Sequence, residues 1–377
     1  MRIAHISDLH LGKTLHNFSL IEDQEYILNQ IVQKIVENKV EVLLVAGDIY
    51  DKNVAPEAGI KLFRKFLNDL VNINIKVMVI SGNHDSAERL TFGGEFMTDK
   101  GIFFSKVYDG NIEPIVLKDE NGSVNFYLLP FIKPSIVQHY FPDEKIESYE
   151  DAVSCAVKQM ELNSSERNII VAHQNILSAE RCESEENVIG GLDAVSDQIF
   201  KDFDYVALGH IHKQQEIGKS KVMFSGTPLK YSVSELDHNK VMPVITLGKK
   251  GEKDIELVPL VPKRELRQIK ATFDEIMKNS KNDPYNAEDF IDVILTDEND
   301  VLDAISTLRS VYPNILKITY DNKATKAAES VEKFDAVDEK KPLDVFEAFY
   351  KARRGTDMDD MQKEYIQSLI ENIWGEN

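Results

Sequence analysis

Short unbroken apolar runs along this chain alternate with longer segments whose apolar residues recur every three or four positions. Val42-Leu43-Leu44-Val45-Ala46 has no polar interruption, which predicts a strand buried on both faces. Similar runs stand at 3–7, 76–80, 169–172 and 205–208. Between the first of them, Ile27, Leu28, Ile31 and Ile35 mark a helix over about 22–38, and Leu62, Phe63, Phe66 and Leu70 a second over about 56–72. Pro56 suits the first turn of that second helix. The opening eighty residues thus read β-α-β-α-β, the pattern of a sheet covered by helices on both sides.

The pattern then shifts. Shorter strands are expected over 101–131, with Asp119-Glu120-Asn121-Gly122 as a turn between two of them. A helix is expected over 148–161. The 168–172 and 205–208 strands flank a polar loop containing 183–187 and Gly190-Gly191, and strands at 222–225, 243–247 and 255–261 close the first domain near 262. Residues 263–321 read as a small domain of their own, with strands at 266–271, 290–295 and 316–320 and helices at 273–279 and 301–311. Asp297 or Asn299 is placed to cap the second helix. The stretch 322–341 is polar and poor in large apolar residues, so it reads as a linker. Helices follow at 342–353, ended by Gly355, and at 357–374. Phe346, Phe349 and Tyr350 stripe the first, and Met361, Tyr365, Leu369, Ile370, Ile373 and Trp374 the second. Some 35 residues cannot bury those stripes alone, which points to docking on a partner.

The residues just after each strand carry the chemistry. The first strand leads to Asp8 and His10, the second to Gly47-Asp48, and the third to Gly82-Asn83-His84-Asp85. The fourth leads to His173, and the fifth to Gly209-His210-Ile211-His212. Five strands ending on imidazole, carboxylate or amide side chains predict that these ends meet at one sheet edge and hold two divalent cations, with Asp48 shared through one oxygen to each. Imidazole with carboxylate and no thiolate fits Mn(II) best, then Fe, Co or Zn. Such a pair activates water and neutralises charge on a phosphoryl oxygen. His84 directly follows Asn83, so its side chain is expected to point elsewhere. It is assigned to transition-state stabilisation or to protonating the leaving oxygen. His5, His16, His139 and His238 fall outside the pattern and are assigned structural or surface roles.

Composition alters this picture in one respect. With 377 residues, 42% hydrophobic and 29% charged, the chain is ordinary for a globular protein of two or three domains. No apolar run nears the ~18 residues of a membrane span, and the N-terminus lacks signal-peptide architecture. Cys155 and Cys182 form no metal-spacing or C-x-x-C pair, which suits two idle thiols in a reducing cytoplasm. The formal charge of −20, however, argues against a general electrostatic footprint for nucleic acid. A phosphate-bearing substrate must then be met by bound cations, local basic groups or a partner.

The order and spacing of Asp8-Leu9-His10, Gly47-Asp48, Gly82-Asn83-His84-Asp85, Ala172-His173 and Gly209-His210-Ile211-His212 resemble the calcineurin-like metallophosphoesterases over about the first 215 residues. The 8–16 stretch, the 225–232 stretch (Ser225-Gly226-Thr227-Pro228-Leu229-Lys230-Tyr231-Ser232) and the appended segments narrow the likeness to a bacterial nuclease branch, related to archaeal and eukaryotic double-strand-break repair nucleases. The resemblance implies an α/β fold. A metallophosphoesterase β-sandwich flanked by helices (1–262) would precede a small α+β capping domain (263–321), a linker (322–341) and a helical partner-binding pair (342–377). It implies Asp8, His10, Asp48 and His212 around one ion, and Asp48, Asn83, His173 and His210 around the other. It further implies Mn-dependent DNA cleavage, both 3′-to-5′ exonucleolytic and endonucleolytic at hairpins, in DNA repair and recombination. A homodimer would bind a coiled-coil ATPase through the terminal helices. Lys13, His16, Arg89 and Arg181 are the candidate DNA contacts. Those relatives usually carry a His three residues after the bridging Asp; here Asp51 stands there, so no role transfers to it. The alternatives are a small-molecule phosphodiesterase or phosphomonoesterase of the same superfamily, and a scaffold that has kept the fold without the reaction.

Overall fold

The computed structural model describes residues 1–185, 193–218, 222–323, 325, 342–354 and 356–374. Residues Met1–Arg264 form one compact unit, and a second begins at Glu265.

Two six-stranded sheets build the first unit. One runs β12 (Lys253–Pro259), β11 (Val241–Leu247), β1 (Arg2–Ile6), β2 (Val42–Ala46), β3 (Lys76–Ile80), β4 (Ile102–Phe104). The other runs β9 (Gln215–Ile217), β10 (Val222–Phe224), β8 (Tyr205–Gly209), β7 (Arg167–His173), β6 (Gly122–Leu128), β5 (Ile115–Asp119). Successive side chains in a strand face opposite ways, so Val42, Leu44 and Ala46 turn inward to meet Phe126, Val171 and Ala207 of the facing sheet. The remaining faces are covered by helices, which is why β2 and β7 read as unbroken apolar runs. Helix α1 (Ile21–Glu37) buries Ile27, Leu28, Ile31 and Ile35, and α2 (Glu57–Asn72) buries Leu62, Phe63, Phe66 and Leu70. Helix α3 (Tyr149–Lys158), started by a Ser148–Asp151 capping box, packs Ala152, Val153 and Ala156 against the second sheet.

The second unit holds a parallel three-stranded sheet, β13 (Leu266–Ala271), β14 (Phe290–Leu295) and β15 (Ile315–Tyr320), with α4 (Phe273–Asn279) and α5 (Ala304–Leu308). Helices α6 (Pro342–Arg354) and α7 (Asp360–Trp374) follow. No helix among the described residues is long and apolar enough to cross a membrane.

Several local expectations are corrected. Pro56 is the N-cap of α2, with extended backbone (φ −69°, ψ 145°), rather than part of its first turn. Helix 301–311 shrinks to Ala304–Leu308; Asp303, at φ 51°, keeps it from starting earlier. Asp297 accepts a hydrogen bond from Phe273 N (2.8 Å), so its carboxylate serves the start of α4 instead. The final helix begins at Asp360, not 357. A helix at Pro134–Tyr140 and a 3-10 turn at Gly94–Lys100 had no forecast. The linker reading falls largely on 324 and 326–341, the polar loop partly on 186–192, and the helix stop on Gly355, all outside the described residues.

Candidate metal centre

β1, β2 and β3 are parallel neighbours in one sheet, and β7 and β8 in the other, so their carboxyl ends emerge together. Pairing continues past the strands: Asp8 N donates to Gly47 O (3.0 Å), His10 N to Asp48 O (3.0 Å) and Leu11 N to Ile49 O (2.9 Å). Four residues at this edge leave ordinary backbone space: Asp8 (φ 53°), His10 (43°), Asp48 (51°) and His210 (97°). Left-handed backbone at a non-glycine residue is costly and concentrates at functional sites. Glycine is required where the loops touch. Gly47 has φ +87° and lies where a Cβ would come within 2.9 Å of Gly82 Cα, and a Cβ on Gly82 would collide with the Asp48 carboxylate.

The seven residues predicted as ligands come together. His173 Nε2 lies 3.3 Å from Asp48 Oδ2, 4.0 Å from Asp8 Oδ1 and 3.0 Å from Asn83 Oδ1. His210 Nδ1 is 3.1 Å from the same Asn83 oxygen. His10 Nε2 is 3.3 Å from His212 Nε2 and 3.9 Å from Asp48 Oδ2. Asp8, His10 and His212 form one compact donor group, and Asp8, Asp48 and His173 another. Asp48 Oδ1 accepts the backbone N–H of His84 (2.8 Å), and Oδ2 faces the rings of His10, His84 and His173.

Electrostatics favour positive charge here. Burial opposes protonation of His173, yet Asp48 and Asp8 raise its pKa to about 9. Burial likewise opposes ionisation of Asp48, but His173, His10 and His84 hold its pKa well below the usual carboxylate range. Burial keeps the His10 pKa well below normal despite Asp48, leaving a neutral ring with a lone pair to offer. His10 Nδ1 and His210 Nε2 make no close hydrogen bond; the carboxylate oxygens facing them are Asp51 Oδ1 (3.8 Å) and Asp193 Oδ2 (3.5 Å). Carboxylate, amide oxygen and imidazole converging in one buried cluster fit divalent cations that accept oxygen and nitrogen.

His84 sits at the rim. Its Nδ1 lies 3.0 Å from Asp51 O, its Nε2 is 4.0 Å from Asp48 Oδ2, and its side chain is 22% exposed. Of the candidate DNA contacts, Lys13 is paired with Asp51 (2.8 Å) and Arg181 with Asp193 (2.5 Å). Arg89 is exposed and donates to Asn53 O (3.2 Å), and His16 is exposed in the turn between the two-residue strands Thr14–Leu15 and Phe18–Ser19. His5 is buried against the Tyr205 hydroxyl (3.1 Å) and is structural.

Sequence reasoning missed the residues that hold the ligands. The Asp85 carboxylate accepts from Ile49 N (3.0 Å), Tyr50 N (2.9 Å) and Gly82 N (3.0 Å), tying the β2 and β3 loops together. Burial and Asp48 nevertheless raise its pKa to about 6. Gln24 Nε2 donates to His10 O (2.8 Å), and the Tyr231 hydroxyl to Leu9 O (2.6 Å). Behind His210 stands Asp193, and behind His212 stand Ser184, Glu185 and Glu235. Two signals were available: Asp85 closes the 82–85 motif, and Glu235 lies three residues beyond the 225–232 stretch.

A helix-flanked β-sandwich with this cluster at the carboxyl ends of its strands is the architecture of a metallophosphoesterase. Residues 1–214 match the calcineurin-like phosphoesterase family, and residues 262–354 match the type 5 capsule protein repressor C-terminal domain. The SbcD subunit of the SbcCD nuclease of Staphylococcus epidermidis is 31% identical over 379 residues, covering 99% of each chain. Solved structures that align include a dimetal phosphatase from Danio rerio (11% identity, 69% of this chain and 96% of that one, TM-score 0.43). A novel archaeal phosphodiesterase also aligns (13% identity, 68% and 100%, TM-score 0.33). The chain belongs to the calcineurin-like phosphoesterase family and, within it, to the SbcD nuclease subunits; it is a metal-dependent phosphodiesterase.

Proposed function

We propose that this protein is an Mn(II)-dependent DNA nuclease, a 3′-to-5′ double-strand exonuclease and a hairpin and blocked-end endonuclease. It would act in DNA repair, recombination and replication as a cytoplasmic subunit of an ATP-dependent complex. The similarity to the SbcD subunit of the SbcCD nuclease over 99% of both chains supports the substrate and the complex. One geometric observation carries the chemistry: a single buried oxygen, Asp48 Oδ2, faces imidazoles delivered by three separate strand ends.

Asp8, His10, Asp48 and His212 would hold one cation, and Asp48, Asn83, His173 and His210 the other. When bound, the cations neutralise phosphoryl charge and activate the attacking water. The chain's own residues do the rest. The Ala46 carbonyl accepts from His173 Nδ1 (2.8 Å), which aims Nε2 inward. The Asp51 carbonyl can likewise accept from His84 Nδ1–H, which fixes the ring at the rim; when the ring carries a second proton, its Nε2–H can donate to a phosphate or leaving oxygen. Asp51, paired with Lys13, would steady that loop.

With a net charge of −20, much of the backbone binding to DNA would come from a partner, beside the bound cations and local basic groups. We assign that partner as an SbcC-type ATPase gripped by α6 and α7, on which Phe349, Met361 and Tyr365 are exposed. Residues 263–321 would cap the DNA path, and the nuclease would work as a homodimer within a heterotetramer. The test compares Mn-supported cleavage of hairpin DNA with that of a nitrophenyl phosphodiester, with and without the ATPase. Preference for DNA that rises with the partner supports the reading, and preference for the small ester refutes it.

A further inference from the structure

We propose that Glu235 is the positioning residue for His212. Its carboxylate, anchored by Lys240, keeps the imidazole proton on Nδ1, so that Nε2 presents its lone pair beside His10. The inference rests on His212 serving as a ligand. Glu235 is completely buried, and it is polar on every side. Oε1 lies 3.1 Å from His212 Nδ1 and accepts from Ser184 Oγ (2.7 Å) and Tyr231 N (3.3 Å). Oε2 accepts from Lys240 Nζ (2.6 Å) and Thr227 Oγ1 (3.1 Å). Lys240 is itself buried and also donates to His212 O (3.1 Å) and Thr227 Oγ1 (2.6 Å).

The logic is one of donors and acceptors. Ser184 Oγ, 2.8 Å from His212 Nδ1, can spend its proton on Glu235 and then only accept. Both neighbours of Nδ1 therefore accept, which places the imidazole proton on Nδ1. The opposite nitrogen, 3.3 Å from His10 Nε2, is left unprotonated and aimed at the donor group of Asp8 and His10. A carboxylate behind a metal-binding imidazole sets its tautomer and orientation, and removing one commonly weakens metal binding about 10- to 100-fold. Lysine can only donate. Tyr231 N, at 3.3 Å from Oε1, also only donates, but the charged Lys240 is closer (2.6 Å from Oε2) and draws the oxygen of an amide at position 235 to its side, turning the NH2 group to His212 Nδ1. That arrangement moves the imidazole proton to Nε2 and blocks the ligand.

The test is Mn(II) titration of the metal-free protein without DNA, by calorimetry and electron paramagnetic resonance. Glu235→Gln should weaken one of two sites about 10- to 100-fold, and Glu235→Gln/Lys240→Met, which frees the amide to turn back, should recover it. His212→Ala should lose the same site. Unchanged binding in Glu235→Gln, or a loss that persists in the double variant, overturns the proposal. Unchanged binding in His212→Ala overturns the ligand reading as well. Should Glu235→Gln fail to fold, nitrogen-15 spectra of histidine-labelled wild type decide the matter. A proton on Nδ1 of His212 supports the assignment, and one on Nε2 contradicts it.

Discussion

Two of the places where the sandwich buries charge are built on opposite terms. Around Arg167 every donor of the guanidinium is used. Nη1 reaches Asp119 Oδ2 (3.0 Å) and Gly248 O (2.9 Å), Nη2 reaches Asp119 Oδ1 (2.5 Å) and Gly122 O (2.8 Å), and Nε reaches Ser123 O (3.4 Å). The N-terminal ammonium completes Asp119 (2.9 Å). Around Asp48, by contrast, two imidazole nitrogens face one another (3.3 Å), two more share the Asn83 oxygen (3.0 and 3.1 Å), and four residues sit in left-handed backbone. The first cluster satisfies itself, as a structural ion pair must. The second gathers carboxylate, amide and imidazole groups on strained backbone, the donor set of a divalent-cation site. Buried charge by itself therefore does not mark a functional site; the donor set and the backbone that presents it do.

The widest split between the clusters is in activity. Asp48→Ala should lower phosphodiester hydrolysis by at least ~10³-fold while the protein stays folded, because the neighbouring imidazoles can shed their protons. Steady-state rates with circular dichroism check both halves. Arg167→Ala should do the reverse, costing about 3–5 kcal/mol of stability in urea unfolding, since Asp119 and the carbonyls lose a charge that cannot be neutralised. Next in size, His84→Ala should slow turnover about 10²-fold with Mn(II) stoichiometry intact, because this ring stands at the rim.

Acid sharpens the contrast further. Arg167 holds the Asp119 pKa well below the ordinary carboxylate range despite burial. A folded-state pKa below the unfolded one contributes stability that is full above the unfolded value, about 3.9, and is lost as pH falls through the folded value. Urea midpoints of wild type should therefore drop at low pH more steeply than those of Asp119→Asn. The smallest effect concerns left-handed backbone that serves no chemistry. Lys39, exposed just past α1 with φ 51°, should gain up to about 1 kcal/mol as Lys39→Gly with activity unchanged.

The ligand edge was legible because each ligand follows an apolar run that can only be an internal strand, as in Val42–Ala46 before Gly47-Asp48. Local pattern reaches that far. It does not reveal that Arg167, in a polar stretch that reads as surface, is buried by bonds to residues 44 to 81 positions away. Nor does it pair Glu235 with His212 or Asp85 with the loop after β2, since those contacts exist only once distant strands have paired and brought the loops after them together. The overlong 301–311 helix failed for a local reason: apolar spacing carries no sign of the left-handed turn at Asp303.

The most direct measurement is anomalous diffraction from crystals soaked in Mn(II). The account predicts two peaks roughly 3.5–4 Å apart, both in contact with Asp48 Oδ2, with His10 and His212 on one side and Asn83, His173 and His210 on the other. A single peak, or none within reach of that oxygen, would contradict it.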